Sequence, residues 1–303
     1  MARFLSVLVL WCVFLWGCTW VSGEGEEEAP PRVTVLDVGQ GLAVLLEYDG
    51  RYGLYDSGPD SSGVVDSLRA RGVEELEWVV LSHNHRDHVG GFVELADGHL
   101  NDGVNGADFE KSPIRIKRLF VGPDTAGGIW RDSVLYVAHK RGIPVDTLVR
   151  GDVVQLGSAG GSLSAEMPDI RVMWPPDYET VDGNHGSLVL NISWGAGSAL
   201  LTGDLDSLGE RELLELSPTL SADLLQVGHH GSAGSSGLAF LAQVMPEYAV
   251  ASVGDGNPYG HPAESVVQKL RYVLGDSLRF FRTDRDGSVT FIFERGVGVF
   301  NYY

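Results

Sequence analysis

"VVLSHNHRDHVGGF" (79–92) sets three histidines and an aspartate, His83, His85, Asp87 and His88, into six positions directly after an apolar run. A short unbroken apolar run bounded by turn-forming residues reads as a buried strand. His83 and His85 lie two apart, so in an extended turn both rings point to one side and can grip a single ion. Asp87 and His88 follow where the chain should turn into a helix at Val89 to Leu95. As neighbours they diverge, which aims the pair at a second position. The bland reading is a polar turn with incidental histidines. Two other strand ends argue against it.

"SALLTGD" (198–204) ends in Asp204, and "DLLQVGHH" (223–230) ends in His229 and His230. Apolar strands that each lead straight into a ligand-type residue bring those residues to one rim of a sheet. Asp204 alone would pass for a turn-capping aspartate. In this company it can bridge two ions held roughly 3.5–4 Å apart, with His230 completing the second. An open position, or a hydroxide shared between the metals, then supplies the nucleophile. An extended backbone cannot turn both His229 and His230 inward. His230 is therefore assigned to the metal and His229 to the substrate, so that Asp87 and His229 lie nearest the chemistry. Imidazole and carboxylate donors suit zinc, manganese or iron; the expectation is two divalent ions, Zn²⁺ or Mn²⁺.

Outward from this centre, 303 residues with 44% hydrophobic content and 40 glycines describe a globular, turn-rich chain. The charge is lopsided, 22 Lys+Arg against 41 Asp+Glu, for a net −19. That argues against a large basic footprint for duplex nucleic acid. Local contact with an anionic substrate remains open where metal ions supply the positive charge. Arg3 followed by "FLSVLVLWCVFLW" (4–16) is too short for a comfortable membrane span and fits the core of a signal peptide over residues 1–23. Either Cys18, in "LWGC", becomes a lipidated N-terminus that attaches the chain to a membrane, or cleavage falls at "VSG" (21–23). Both cysteines, Cys12 and Cys18, lie in this leader, so the mature domain has neither a disulfide nor a thiolate ligand. "EGEEEAPP" (24–31) is an acidic linker. The expected product is exported: periplasmic, lipid-anchored or extracellular.

Residues 32–303 read as one domain of mixed α/β type. Alternating "RVTVLDVG" and "GLAVLLEYDGRYGLYDSG" predict antiparallel strands joined by hairpins. "SSGVVDSLRARG" predicts a helix capped by Ser61 or Ser62 and stopped at Gly72. "IKRLFVG", "DVVQLG", "IRVMWP", "SLVLNISWG", "SALLTG" and "DLLQVG" predict further strands. "WRDSVLYVAHKRG", "GERELLELS", "GLAFLAQVM" and "AESVVQKLRYVL" predict helices. Two strand-rich halves with helices after their strands pack naturally as four layers, helices outside two sheets. "DGVNGAD" (102–108) lacks the full ligand set of a calcium loop and reads as a flexible loop. His99 and His139 read as ordinary surface or packing histidines.

"HNHRDH" resembles the signature of the metallo-β-lactamase superfamily, whose fold is an αββα sandwich with a binuclear site between its sheets. "VLDVGQG", "LYDSG", "LSHNHRDHVGG", "GSLVL", "LLTGD", "VGHHGS" and "YGHP" occur here in the order found in the soluble domain of ComEC-like competence proteins and their stand-alone relatives. The resemblance implies ligand roles for His83, His85, Asp87, His88, Asp204 and His230. It also implies that Asp56, in "LYDSG", braces the ligand loop; a plain hairpin-end residue is the alternative. Two departures stand out. Leu42 follows "VGQG" where relatives often carry an acid. The third motif, "GNHGSLVL", offers Asn184, His185 and Ser187, in a branch that reads more like Asn-x-x-Ser than histidine. His185 is either a ligand to the first ion or a loop residue at its rim. His261, in "YGHP", is either a phosphate donor at the mouth of the site or a turn residue.

The resemblance implies a metal-dependent hydrolase that cuts a phosphodiester, with single-stranded DNA as substrate. The acidic surface favours a smaller alternative, an extracellular phosphoester such as phosphorylcholine on a surface polymer. A non-catalytic binding domain that kept the fold would show a spoiled ligand, and none of the six principal positions is spoiled. A thiolate-ligand β-lactamase is hard to sustain, because residues 32–303 hold no cysteine to act as a ligand.

Overall fold

In a computed structural model, the structure describes residues 30–98, 113–123, 128–157, 167–176, 183–275, 279–293 and 300–302. The leader, Cys12, Cys18, most of the acidic linker, His99 and the "DGVNGAD" loop lie outside the described residues.

The first sheet is built from β1 (Arg32–Val35), β2 (Val44–Tyr48), β3 (Arg51–Tyr55), β5 (Trp78–Leu81), β7 (Leu119–Val121), β8 (Val145–Thr147), β16 (Val289–Phe293) and β17 (Phe300–Tyr302), in the order β17-β16-β1-β2-β3-β5-β7-β8. The second comprises β9 (Val153–Val154), β10 (Asp169–Trp174), β11 (Val189–Trp194), β12 (Gly197–Leu201), β13 (Leu224–Gln226), β14 (Tyr248–Ala251) and β15 (Arg279–Arg282), in the order β15-β14-β13-β12-β11-β10-β9. A small parallel pair, β4 (Glu75–Leu76) and β6 (Arg115–Ile116), stands apart. Each large sheet has an antiparallel part and a parallel part. β3, β5, β7 and β8 run parallel, as do β12, β13, β14 and β15.

Parallel strands need crossovers, and helices supply them. α1 (Val64–Arg69), α2 (Arg86–Val89), α3 (Phe92–Asp97) and α4 (Ile129–Arg141) follow strands of the first sheet. α5 (Ser207–Leu216), α6 (Leu238–Val244), α7 (Glu264–Leu274) and the short α8 (Thr283–Asp286) follow strands of the second. Three cores result. Val33, Val44, Trp78, Ile170, Leu190, Leu201 and Phe291 lie in the core between the sheets. Val64, Leu68, Phe92, Leu95 and Val134 seal the outer face of the first sheet under α1, α3 and α4. Leu213, Phe240, Leu241, Val266 and Leu270 do the same under α5, α6 and α7. The fold is the four-layer αββα sandwich. β5, "WVVL", is buried at every position, as a strand covered on both faces must be.

The structure departs from the sequence reading in three places. α1 takes Gly63 as its N-cap, in a left-handed conformation with φ 75°, and neither Ser61 nor Ser62 caps it. α2 starts at Arg86, earlier than the expected Val89, so Asp87 and His88 both ride on its single turn. β8, β14, β15, β16 and β17 were not among the expected strands. "RFFR" carries arginines at both ends and "YAVA" is only four residues long, so neither offers an alternating pattern of useful length.

Candidate metal centre

The site forms where the strands of both sheets end on the same rim. β3 ends at Asp56, β5 at Ser82 and His83, β12 at Asp204, β13 at the "GHHG" turn, and β14 at Ser252. β11 runs antiparallel to β12, so its first residues, preceded by Asn184 to Ser187, lie at that rim too. The ligand-type residues follow three of these strands, β5, β12 and β13, while β3 and β14 supply the groups that hold their imidazoles.

Two donor groups meet there. His83, His85 and Asp204 each offer an atom within 4.8 Å of the others, and so do Asp87, His88, Asp204 and His230. Asp204 belongs to both. His83 Nε2 is 3.0 Å from His85 Nδ1 and 4.0 Å from Asp204 Oδ2. His230 Nε2 lies 3.2 Å from Asp87 Oδ2 and 3.6 Å from Asp204 Oδ1. His88 Nε2 and Asp204 Oδ1 face each other at 3.1 Å, both buried, as an ion pair without the alignment of a hydrogen bond, and neither has another hydrogen-bond partner among the described residues. Buried polar atoms left unmet in this way are costly unless something fills the position. A divalent cation fits: the donors are imidazole nitrogens and carboxylate oxygens converging on one point. His85 is exposed while His83 and Asp204 are buried, so the first group opens to solvent on its His85 side. Arg86, between two of these residues in sequence, turns away to pair with Asp60 and to lie 5.5 Å from the centre of the Trp130 ring.

The surrounding residues fix the imidazoles. Asp56 Oδ2 accepts from His88 Nδ1 at 2.7 Å and from Ser82 Oγ at 2.7 Å, while its Oδ1 accepts from Ser82 N at 2.6 Å. That leaves His88 Nε2 aimed at Asp204. His230 Nδ1 is held by the Ser252 carbonyl at 2.8 Å. Ser187 Oγ accepts from Asp204 N at 3.2 Å and lies 3.4 Å from His83 Nδ1. Gly41 lets the "VGQG" loop close on α2: a Cβ there would lie 2.5 Å from the Asp87 carbonyl oxygen. Ser82, Ser252 and Tyr55, whose hydroxyl donates to the Leu188 carbonyl at 2.6 Å, were missed in the sequence. Only the position of Ser82, between a strand and His83, could have signalled it.

Electrostatics follow from this crowding. Burial would raise Asp204, but His88 and His230 outweigh it and hold the carboxyl well below its usual range. Burial would lower His88, but Asp204 and Asp56 outweigh it and push the imidazole well above its ordinary value. His83 is held well below that value by burial and by His88. Asp87 stays ionised because its bond to His230 and the nearby His88 overcome burial.

The "GHHG" turn overturns one expectation. His229 and His230 were read as unable to face inward together from an extended backbone. The backbone here is left-handed at both, φ 51° and 56°, and it carries both side chains to the site. His229 Nε2 is 3.6 Å from Asp204 Oδ2, and Asn184 Nδ2 sits 3.2 Å from its Nδ1. Two consecutive non-glycine residues with positive φ are strained, which is characteristic of functional turns. His261 stands at the rim, its ring centre 5.9 Å from that of His229 and 5.6 Å from Tyr259. His185 is brought to neither donor group. Its ring faces Asp206 at 3.1 Å and Glu212 at 3.3 Å, and its carbonyl accepts from Trp174 Nε1 at 2.7 Å. A register shift between Val172 and Trp174 sends Trp174 to the outer core, where it anchors this turn and draws His185 away. His139 is exposed on α4.

A four-layer αββα sandwich with histidines and aspartates gathered at the strand ends defines a class of metallohydrolase. The chain belongs to the metallo-beta-lactamase superfamily, whose family model matches residues 36–104 and 168–255. Within that superfamily it is ComEC-like. It is 30% identical to ComE operon protein 3 of Bacillus subtilis over 97% of this chain and 36% of that protein. It is 33% identical to competence protein ComA of Neisseria gonorrhoeae over 90% of this chain and 34% of that protein. The chain thus spans about a third of the length of these relatives. Among solved structures, the metallo-beta-lactamase fold protein YhfI from Bacillus subtilis shares the fold, with a TM-score of 0.51 and 11% identity over 86% of this chain and 99% of that one.

Proposed function

We propose that this chain is an exported, metal-dependent phosphodiesterase that cuts single-stranded DNA. One observation carries the chemistry: two donor groups share a single buried carboxylate, Asp204, and one of them opens to solvent. His83, His85 and Asp204 would hold one divalent ion, and Asp87, His88, Asp204 and His230 a second. Zinc and manganese both suit these donors. Bound ions of this kind supply Lewis acidity toward a phosphoryl oxygen and make water a nucleophile at neutral pH. The chain's own groups do the positioning. Burial lowers the pKa of His229, which would present a ring N–H toward a phosphoryl oxygen, with Asn184 beside it. His261 is placed at the rim to meet the next part of the substrate.

DNA is supported by the relatives, one of them named for competence and another, from Haemophilus influenzae, named recombination protein 2. Both names point to the handling of DNA. Export rests on Arg3 and the apolar run 4–16, with either a lipid anchor on Cys18 or cleavage near Gly23. The net charge of −19 favours a second reading, a small extracellular phosphoester, because it repels long polyanions.

The test loads the protein with Mn²⁺ or Zn²⁺ and offers end-labelled single-stranded DNA and, separately, bis(4-nitrophenyl) phosphate. The wild type is expected to cut both. Asp204→Ala should lose metal content and turnover together, whereas His229→Ala should keep its metal and lose about 10²-fold in rate. Turnover surviving in Asp204→Ala would sink the shared-carboxylate assignment. Cleavage of the small ester alone would move the assignment to the second reading.

A further inference from the structure

We infer that a cleft beside the metal centre, lined by Arg271, Arg282 and Arg285, is a second phosphate site that holds the backbone of a single-stranded polynucleotide away from the bond being cut. This rests on the phosphodiesterase reading above and names how its polymeric substrate would be held.

The chain carries 22 basic residues against 41 acidic ones, so most of its surface repels a polyanion. Three arginines from different elements nonetheless line one cleft of about 570 Å³. Arg271 is in the last turn of α7, Arg282 is the final residue of β15, and Arg285 lies in α8. Packing, not local sequence, brings them together. The volume falls within the range of roughly 300–1,000 Å³ usual for ligand sites.

Glu264 and Asp286 also line the cleft, so its charge is mixed. Arg282 is already engaged, with Asp284 at 3.0 and 2.5 Å, and its backbone N–H donates to Asp286 at 2.8 Å. Its guanidinium is fixed and largely neutralised. Arg271 and Arg285 are exposed and make no ion pair among the described residues. Their planar forks match a phosphate diester better than an ammonium would.

Position ties the cleft to the site. Pro262 forms one wall and directly follows His261 at the rim. Pro262 also packs on Gly231 of the "GHHG" turn, where a Cβ would lie 2.5 Å from the proline Cβ. Pro262 is therefore shared between the wall of the cleft and the packing of the ligand turn. A small phosphoester needs only the metal centre; a chain of nucleotides would carry its neighbouring phosphates along this path.

The experiment uses the full chain and an Arg271→Ala/Arg285→Ala double variant, with Arg282 kept because it secures the turn into α8. Fluorescein-labelled oligothymidylate is titrated into metal-free protein at several salt concentrations, and anisotropy is read. The variant is expected to bind about tenfold more weakly, and the slope of log K against log salt should fall by about 1.4, the loss of two phosphate contacts on a single strand. With metal present, its kcat/KM on the oligomer relative to that on bis(4-nitrophenyl) phosphate should drop by a similar factor. An Arg271→Lys/Arg285→Lys variant, which keeps the charge, should recover the slope. Equal affinity and slope in wild type and alanine variant would overturn the cleft assignment, as would a wild type that binds no oligomer. A wild type whose oligomer binding depends on these arginines but which hydrolyses neither ester would uphold the cleft and sink the phosphodiesterase reading instead.

Discussion

Asp56 is fully buried at the end of β3 and takes three hydrogen bonds, two from Ser82 and one from His88. Burial pushes its carboxyl up, while these donors oppose that shift. Its consequence for function is directional, because it leaves His88 Nε2 as the atom facing Asp204. Asp56→Asn keeps the volume but must turn an NH₂ toward one of the three donors. Metal affinity should fall about 10–100-fold, as read by competition with a chromogenic chelator. Wild-type affinity in that variant would leave Asp56 a hairpin-end residue and nothing more. The sequence held both roles open, since an aspartate after "LY" reads the same either way. Which atoms it meets depends on His88, 32 residues further on.

At the scale of elements, Asp206 shows how closely a structural role can lie beside the site. It is the N-cap of α5, accepting from Gly209 N at 2.8 Å, and it also receives the His185 ring. Asp206→Ala should cost about 1 kcal/mol in urea denaturation, the usual effect of losing such a cap. Its metal content should match the wild type. Loss of metal would show that the His185–Asp206 pair is coupled to the centre after all. Helix and strand identity was legible wherever the periodic pattern ran long, as in α4, α5 and α7. It was hidden in four-residue strands such as β14 and β15. There burial is decided by neighbours far off in sequence.

For the molecule as a whole, the packing of α5 against the loop after the "GHHG" turn sets a pH dependence. Glu210 is buried there and accepts from the backbone N–H groups of Ser236 and Gly237. Burial dominates and pushes its carboxyl up to about 7, from 4.5 for the free group. Between those values the folded state holds a proton that the unfolded state has released. The contribution of Glu210 is therefore complete below about pH 4.5 and declines as pH rises through about 7, by about 3 kcal/mol. Urea midpoints of chelator-treated protein at pH 5 and pH 7.5 should show that decline, and Glu210→Gln should flatten it. An undiminished decline in the variant would assign it to other groups.

The sequence by itself determined the candidate ligand types and their places at strand ends, because both depend on local spacing: apolar runs of strand length, then His83, His85, Asp87 and His88, then Asp204, then His230. The four-layer arrangement followed from strands and helices alternating in two halves. Only the tertiary structure decided where individual side chains point. His229 turns inward because the "GHHG" backbone is left-handed. His185 turns outward because a shift of register in β10 gives Trp174 its carbonyl and leaves its ring to Asp206 and Glu212. The arginine cleft exists only because α7, β15 and α8 pack together. Side-chain direction at a turn depends on the sign of φ and on partners brought from distant segments, and neither is written in the spacing of residues along the chain.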